Sequence, residues 1–138
     1  MSETDETRRV LVAFNAARDR NDAIAIAALV AEDVEWHPPE SVRNRPIRGR
    51  DRVTSAMTGG STSSVLQVDT IKREVVSVVV ENETAAVRQL MTATRVDGEQ
   101  YRNNYCWIYT VENGLIRRID EYGDTLLIAR AGFIPLGP

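Results

Sequence analysis

The chain has 138 residues, of which 43% are apolar and 27% charged, with a formal net charge of −3. That length suits one domain, residues 1–138, with a core that needs no disulfide or metal staple. The acidic balance points away from nucleic acid and anionic membrane surfaces as partners.

The first third reads as helix. Val10, Phe14 and Ala17 recur at helical spacing with Arg8, Asn15 and Asp19 between them. Asn21-Asp22 supplies a stop and an N-cap, and Ala23 to Ala31 suits a buried second helix. Val34-Glu35-Trp36-His37 is a short strand ended by Pro38-Pro39. A loop rich in proline and arginine runs to Gly49. Asp51 then caps a short third helix that Gly59-Gly60 terminates, and Ser61 to Ser64 is a connector.

The second half changes character. Val68 to Val80, Thr84 to Val96 and Gln100 to Val111 are rich in β-branched and aromatic residues. Turn chemistry separates them at Glu81-Asn82-Glu83, Asp97-Gly98 and Asn113-Gly114. With Leu115 to Tyr122 they form an antiparallel four-strand meander, and Leu126 to Ala129 adds a helical turn. Helices first and a meander afterwards predict an α+β fold. Three helices cannot cover both faces of such a sheet, so a curved antiparallel sheet closed on one side makes a cone with an internal cavity. A homodimer through the sheet would cover the other face. Val75, Val76, Val78, Val79 and Val80 suggest a strand buried on both sides.

These residues resemble the nuclear-transport-factor-2-like superfamily, whose fold is cystatin-like. The stretches that carry the likeness are Ala31-Glu32-Asp33-Val34-Glu35-Trp36 and Ile47-Arg48-Gly49-Arg50-Asp51. More specific is the run from Asn103-Asn104-Tyr105 through Glu112-Asn113-Gly114-Leu115-Ile116 to Glu121-Tyr122-Gly123-Asp124-Thr125. It is similar to the SnoaL-like polyketide cyclases, ketosteroid isomerases and limonene epoxide hydrolases. The epoxide-hydrolase resemblance implies Arg88 as the catalytic arginine and Glu121 as its acidic partner, with Leu90 where a second acid stands. The isomerase resemblance puts His37, before Pro38, at the place of the catalytic base. Val10 and Trp107 fall at that group's oxyanion donors and cannot perform their role.

If Glu121 faces the cavity, strand alternation puts Arg117 and Ile119 on the same face; the resemblance implies Asn103, Tyr105 and Trp107 beside them, and Arg88, Leu90, Thr92 and Thr94 share one face of the strand before. The expected cavity is therefore apolar, walled by Trp36, Leu90, Trp107 and Ile119, with His37, Arg88, Asn103, Tyr105 and Glu121 as its polar groups. Such a set suits proton transfer on a small hydrophobic ligand. His37 is a base titrating near neutrality or a strand-end packing residue. Arg88 and Glu121 form a catalytic or a structural pair. Asn103 and Tyr105 are donors to an enolate-like oxygen or core groups. Asp124 caps the terminal segment or serves as base in place of Glu121.

The remaining signals are weaker. Arg43, Arg45, Arg48, Arg50 and Arg52 form a solvated loop or a contact for an anionic carrier protein. Cys106 is the only cysteine, so no internal disulfide forms and a reducing compartment is expected. It reads as a small buried hydrophobe. The opening residues lack the apolar run of a leader and no stretch reaches membrane-span length, which predicts a cytoplasmic protein that does not engage a membrane. One histidine and no Cys-x-x-Cys predict no metal, and the chemistry needs no cofactor. The sequence thus predicts an isomerase or cyclase acting on a hydrophobic carbonyl compound. Its alternatives are an epoxide hydrolase using Arg88, Glu121 and water, and a non-catalytic binding or dimerisation module.

Overall fold

The computed structural model describes residues 2–134, the side chain of Ser61 apart. Two helices open the chain. α1 (Glu3–Asp19) begins at a capping box, in which Ser2 accepts from the Asp5 amide and the Asp5 side chain answers the Ser2 backbone. α2 (Ala23–Leu29) begins at Asp22, whose Oδ1 accepts from the Ala25 amide at 3.0 Å. Val10, Leu11, Phe14, Ala17 and Ile26 point inward, and Phe14 meets Tyr109 edge-on at 5.6 Å.

β1 (Val30–His37) starts four residues earlier than Val34, where the predicted helix ends short, and stops at the prolines. β2 (Ile47–Arg48) pairs with it. α3 (Arg50–Met57) is capped by Gly49 at φ 98° rather than by Asp51, which lies in its first turn. The stretch before β3 (Lys72–Glu81) holds short 3-10 turns at Gly60–Ser64 and Val68–Thr70, so the strand begins later than Val68. The meander continues through β4 (Thr84–Thr94), β5 (Gln100–Glu112) and β6 (Leu115–Gly123), and α4 (Thr125–Ala131) closes the described chain. The β5–β6 turn uses Asn113 at φ 52° and Gly114 at φ 75°, left-handed conformations that suit a two-residue hairpin.

The six strands form one curved, unclosed sheet in the order β2-β1-β6-β5-β4-β3. The sheet is not wholly antiparallel, because β1 runs parallel to β6. That seam brings Trp36 opposite Ile119 and so carries the first strand to the cavity. A second correction concerns β3. It is the edge strand, with a register shift between Val75 and Ser77, and Val75, Val76 and Val79 are 40%, 51% and 67% exposed. Within the single chain it is not buried on both sides.

The core lies between the helices and the concave face of the sheet. Ala85, Val87, Gln89, Met91 and Ala93 of β4 face it, as do Tyr101, Asn103, Tyr105, Trp107, Tyr109 and Val111 of β5. Cross-strand register stacks Gln89 on Tyr105 on Gly123, and Val87 on Trp107 on Glu121. Gly123 is needed at its place, since a Cβ there would lie 3.0 Å from the Tyr105 ring. No helix among the described residues is long and apolar enough to cross a membrane.

Candidate functional site

A cavity of about 310 Å³ opens between α1, the concave sheet face and α4, room for one ligand of a ring or two. Trp36, Met91, Trp107, Ile128 and Phe133 supply apolar wall, and Arg18, Arg73, Tyr105 and Glu121 supply polar groups. Trp107 stacks with Tyr105 at 5.8 Å and with Tyr109 at 6.5 Å, so β5 contributes a continuous aromatic floor.

Glu121 holds the most perturbed acid of the site. Burial removes water from its carboxylate and pushes it from the ordinary 4.5 up to about 7. The positive charge of Arg18 and a 3.0 Å hydrogen bond from Trp36 Nε1 oppose that rise without cancelling it. A carboxyl poised near neutrality can both take and return a proton.

Arg18 stands in the last turn of α1 and is only 6% exposed. Its guanidinium lies over the Trp107 ring, 4.8 Å from the centroid. Its Nε and Nη1 are buried and have no hydrogen-bond partner among the described residues. Burial pushes the Tyr109 hydroxyl up to about 12, against the pull of Arg18 beside it. Burial and the like charge of Arg18 lower Arg73 from 12.5 to about 10. Cations therefore reach the cavity from α1 and from β3, and Arg43 of the loop after β1 also lines it.

A second polar group of the site is already satisfied. The Tyr101 and Tyr105 hydroxyls bond each other at 2.7 Å, and Asn103 Nδ2 donates to Tyr101 at 3.0 Å. Burial raises both tyrosines above the usual phenol range. Asn103 also donates to the Asp124 carbonyl at 3.1 Å and accepts from the Asp124 amide at 3.3 Å. With its amide committed this way it clamps the β6–α4 junction, and it does not serve as an oxyanion donor.

Of the residues expected from sequence, Trp36, Tyr105, Trp107 and Glu121 come together at the cavity, and Ile119 is buried beneath it. Arg88 does not. It pairs across the ladder with Cys106, which faces Tyr122, so it lies on the convex face, out of phase with the Trp107–Glu121 row. Leu90 shares that face with Arg88, as do Thr92 and Thr94. A one-residue difference in phase reverses every side chain of a strand. Arg117 is exposed and bonds Glu112 at 2.7 Å, past a register shift that breaks its phase with Glu121. Cys106 is half-buried on the convex face rather than in the core.

His37 bonds Glu35 at 3.1 Å and lies outside the cavity proper, in a neighbouring recess that shares Pro38, Arg43 and Glu121 with it. Trp36, one residue earlier, takes the inward position. Asp124 is exposed and caps α4, accepting from Leu126 and Leu127 at 3.0 and 3.3 Å. In the arginine loop, Arg43 donates to the Arg45 carbonyl, Arg48 pairs with Glu35 and Arg50 donates to the Val30 carbonyl.

Sequence reasoning missed Arg18, Gln89 and Arg73. Arg18 carried a signal, for it follows Phe14 by four and Val10 by eight, on the apolar stripe of its helix. Gln89, 3% exposed, accepts from Trp107 Nε1 at 3.2 Å and fixes that ring. Arg73 sits in a strand of alternating charge and had no such signal.

The model of the SnoaL-like domain matches residues 11–119. No curated protein matches the chain significantly. Among solved structures, an NTF2-like protein from Burkholderia xenovorans is 24% identical over 93% of this chain and 96% of its own, with a TM-score of 0.75. TerC, co-crystallized with polyporic acid, is 16% identical over 91% and 97%, with a TM-score of 0.81. An LEH-like epoxide hydrolase from M. tuberculosis is 16% identical over 94% and 90%, with a TM-score of 0.73. These likenesses establish the fold. The family match establishes membership: the chain belongs to the SnoaL-like domain family, built on the NTF2-like α+β fold.

Proposed function

We propose that the protein is a cofactor-independent isomerase or cyclase that moves a proton on a small hydrophobic carbonyl compound held in the cavity. The observation that carries this reading is Glu121, a carboxyl brought to about 7 inside an aromatic cavity. Its ionised form takes a proton from the carbon beside the ligand carbonyl. The electron pair moves onto the carbonyl oxygen, and the N–H groups of Arg18 meet the charge that develops there. Protonated Glu121 then returns the proton at a second carbon, which completes an isomerisation; or the enolate carbon attacks a second carbonyl of the ligand, breaking its π bond, and the alkoxide so formed takes the proton back from Glu121, which closes a ring. Trp36 holds the carboxyl in place through its indole N–H.

The epoxide-hydrolase alternative loses the arginine on which it rested, since Arg88 is on the far face of the sheet. The test is solvent-deuterium incorporation into 2-tetralone, an enolisable ketone of suitable size, followed by proton NMR. Glu121→Gln should lower the enzyme-dependent rate at least tenfold, or about 1.4 kcal/mol of barrier. Equal rates in the two proteins would refute the assignment. No acceleration by the unaltered protein across enolisable ketones that fit the cavity would favour the binding-module reading.

A further inference from the structure

We propose that the cavity selects an anionic ligand: a small hydrophobic compound bearing a carboxylate or comparable oxyanion, seated against the guanidiniums of Arg18 and Arg73. The inference names the ligand class for the same cavity and rests on the proton-transfer reading only for that location.

Arg18 carries the argument. It is almost wholly buried at 6% exposure, it lines the cavity, and its Nε and Nη1 find no acceptor among the described residues. Asn15, Thr54 and Tyr109, whose hydroxyl lies near Arg18, also hold buried unpartnered oxygens, but none of the three lines the cavity. The guanidinium carbon sits over the Trp107 ring, 4.8 Å from its centroid. All five of its N–H donors lie in the guanidinium plane, and the ring offers them no lone-pair acceptor. A buried cation with unmade hydrogen bonds is costly, and a carboxylate is the group whose two oxygens match that fork.

Arg73, on β3, strengthens the case. Its side chain makes no hydrogen bond or ion pair with the described residues, and the charge of Arg18 works against its own. The acids lining the cavity are Asp19 and Glu121, and neither pairs within 4.0 Å with either arginine. Burial keeps Glu121 largely neutral below about 7. Arg18 and Arg73, with Arg43 also in the lining, then face Asp19 alone, an electropositive interior within a chain of net charge −3. An anion brought between them supplies acceptors to Arg18 and relieves the repulsion.

The experiment compares 4-tert-butylcyclohexanecarboxylate with its carboxamide at pH 6.5. Neither absorbs where tryptophan is excited, and the chain's only tryptophans, Trp36 and Trp107, both line the cavity, so their fluorescence reads occupancy. The carboxylate should bind at least tenfold more tightly than the carboxamide. Arg18→Gln should bring the two within threefold while the carboxamide keeps its affinity, and Arg73→Gln, at a half-exposed position, should cut the preference severalfold. If Arg18→Gln fails to fold by circular dichroism, Arg73→Gln decides alone. A carboxamide that binds as tightly as the carboxylate, a preference that survives the arginine substitutions, or no binding of either probe would overturn the proposal. Glu121→Gln should keep the preference, and its loss there would also overturn it. A preserved preference with undiminished 2-tetralone exchange in Glu121→Gln would refute the proton-transfer reading and leave this one standing.

Discussion

Glu121→Gln should make the protein more stable, and by an amount that depends on pH. An acid whose folded-state value is raised is favoured neutral in the folded state, so its ionisation opposes folding. Below the ordinary 4.5 the group is neutral in both states and costs nothing. Between 4.5 and about 7 the unfolded chain ionises while the folded one does not, and stability falls as pH rises. Above about 7 the penalty is complete. At about 1.4 kcal/mol per pH unit it comes to about 3 kcal/mol, an upper figure because the cavity admits some solvent. The amide of Gln keeps the shape and an oxygen for the Trp36 indole, and it removes the charge. Urea unfolding of both proteins at pH 4.5 and pH 8.5 isolates the effect, since every other titration is common to both. The stability gain of Glu121→Gln over the unaltered protein should be larger at pH 8.5 than at pH 4.5 by about 2–3 kcal/mol. The same gain at both values would mean that Glu121 titrates as an ordinary surface acid, and the desolvation argument would fall.

Two other substitutions separate scaffold from site. Asn103→Ala removes three hydrogen bonds, at about 1 kcal/mol each, and leaves the Asp124 amide without its side-chain acceptor, so urea unfolding should show a loss of about 3 kcal/mol. Ligand affinity should fall with it, because Ile128 and Phe133 beyond that junction wall the cavity. Asp124→Ala removes the α4 cap and should cost about 1 kcal/mol, with 2-tetralone exchange within twofold of the unaltered protein. A large loss of exchange at undiminished stability would restore Asp124 as a base.

The fold was legible because its signals were local and redundant. The Val10, Phe14 and Ala17 stripe, the Asp22 cap and the Asn113-Gly114 turn each specify an element from a few neighbouring residues, and all three stand in the structure. The parallel seam between β1 and β6 was not legible, since no local feature records which edge a distant strand joins. Half of the site was legible through the family resemblance rather than through the turn. Counted from Asn113-Gly114 alone, Glu121 would fall opposite Cys106, and the register shift between Thr110 and Val111 is what sets it opposite Trp107, on the face it shares with Tyr105. Arg88 lay across the longer turn at Asp97-Gly98, in a strand carrying apolar residues in both phases. Composition there could not say which phase faces inward, and a likeness counted along the chain chose the convex one.

Arg18 shows what the pattern itself could have revealed. A charge on the buried stripe of an amphipathic helix contradicts the local rule that built the helix, and such contradictions concentrate where a protein trades stability for function. The same holds for Glu121, on the concave face of a strand whose neighbours there are aromatic or apolar. Desolvation sets both groups apart, the carboxyl by raising its proton affinity and the guanidinium by leaving donors unmet. Each destabilises the empty fold. Each also becomes stronger in the dry cavity than it would be in water, because low local polarity magnifies the interaction of fixed donors and charges with whatever enters. Filling the cavity with hydrophobic side chains at these two positions should therefore yield a more stable protein that neither exchanges a ketone proton nor tells a carboxylate from an amide. The energy held in two desolvated groups is what makes this cavity a site rather than a packing defect.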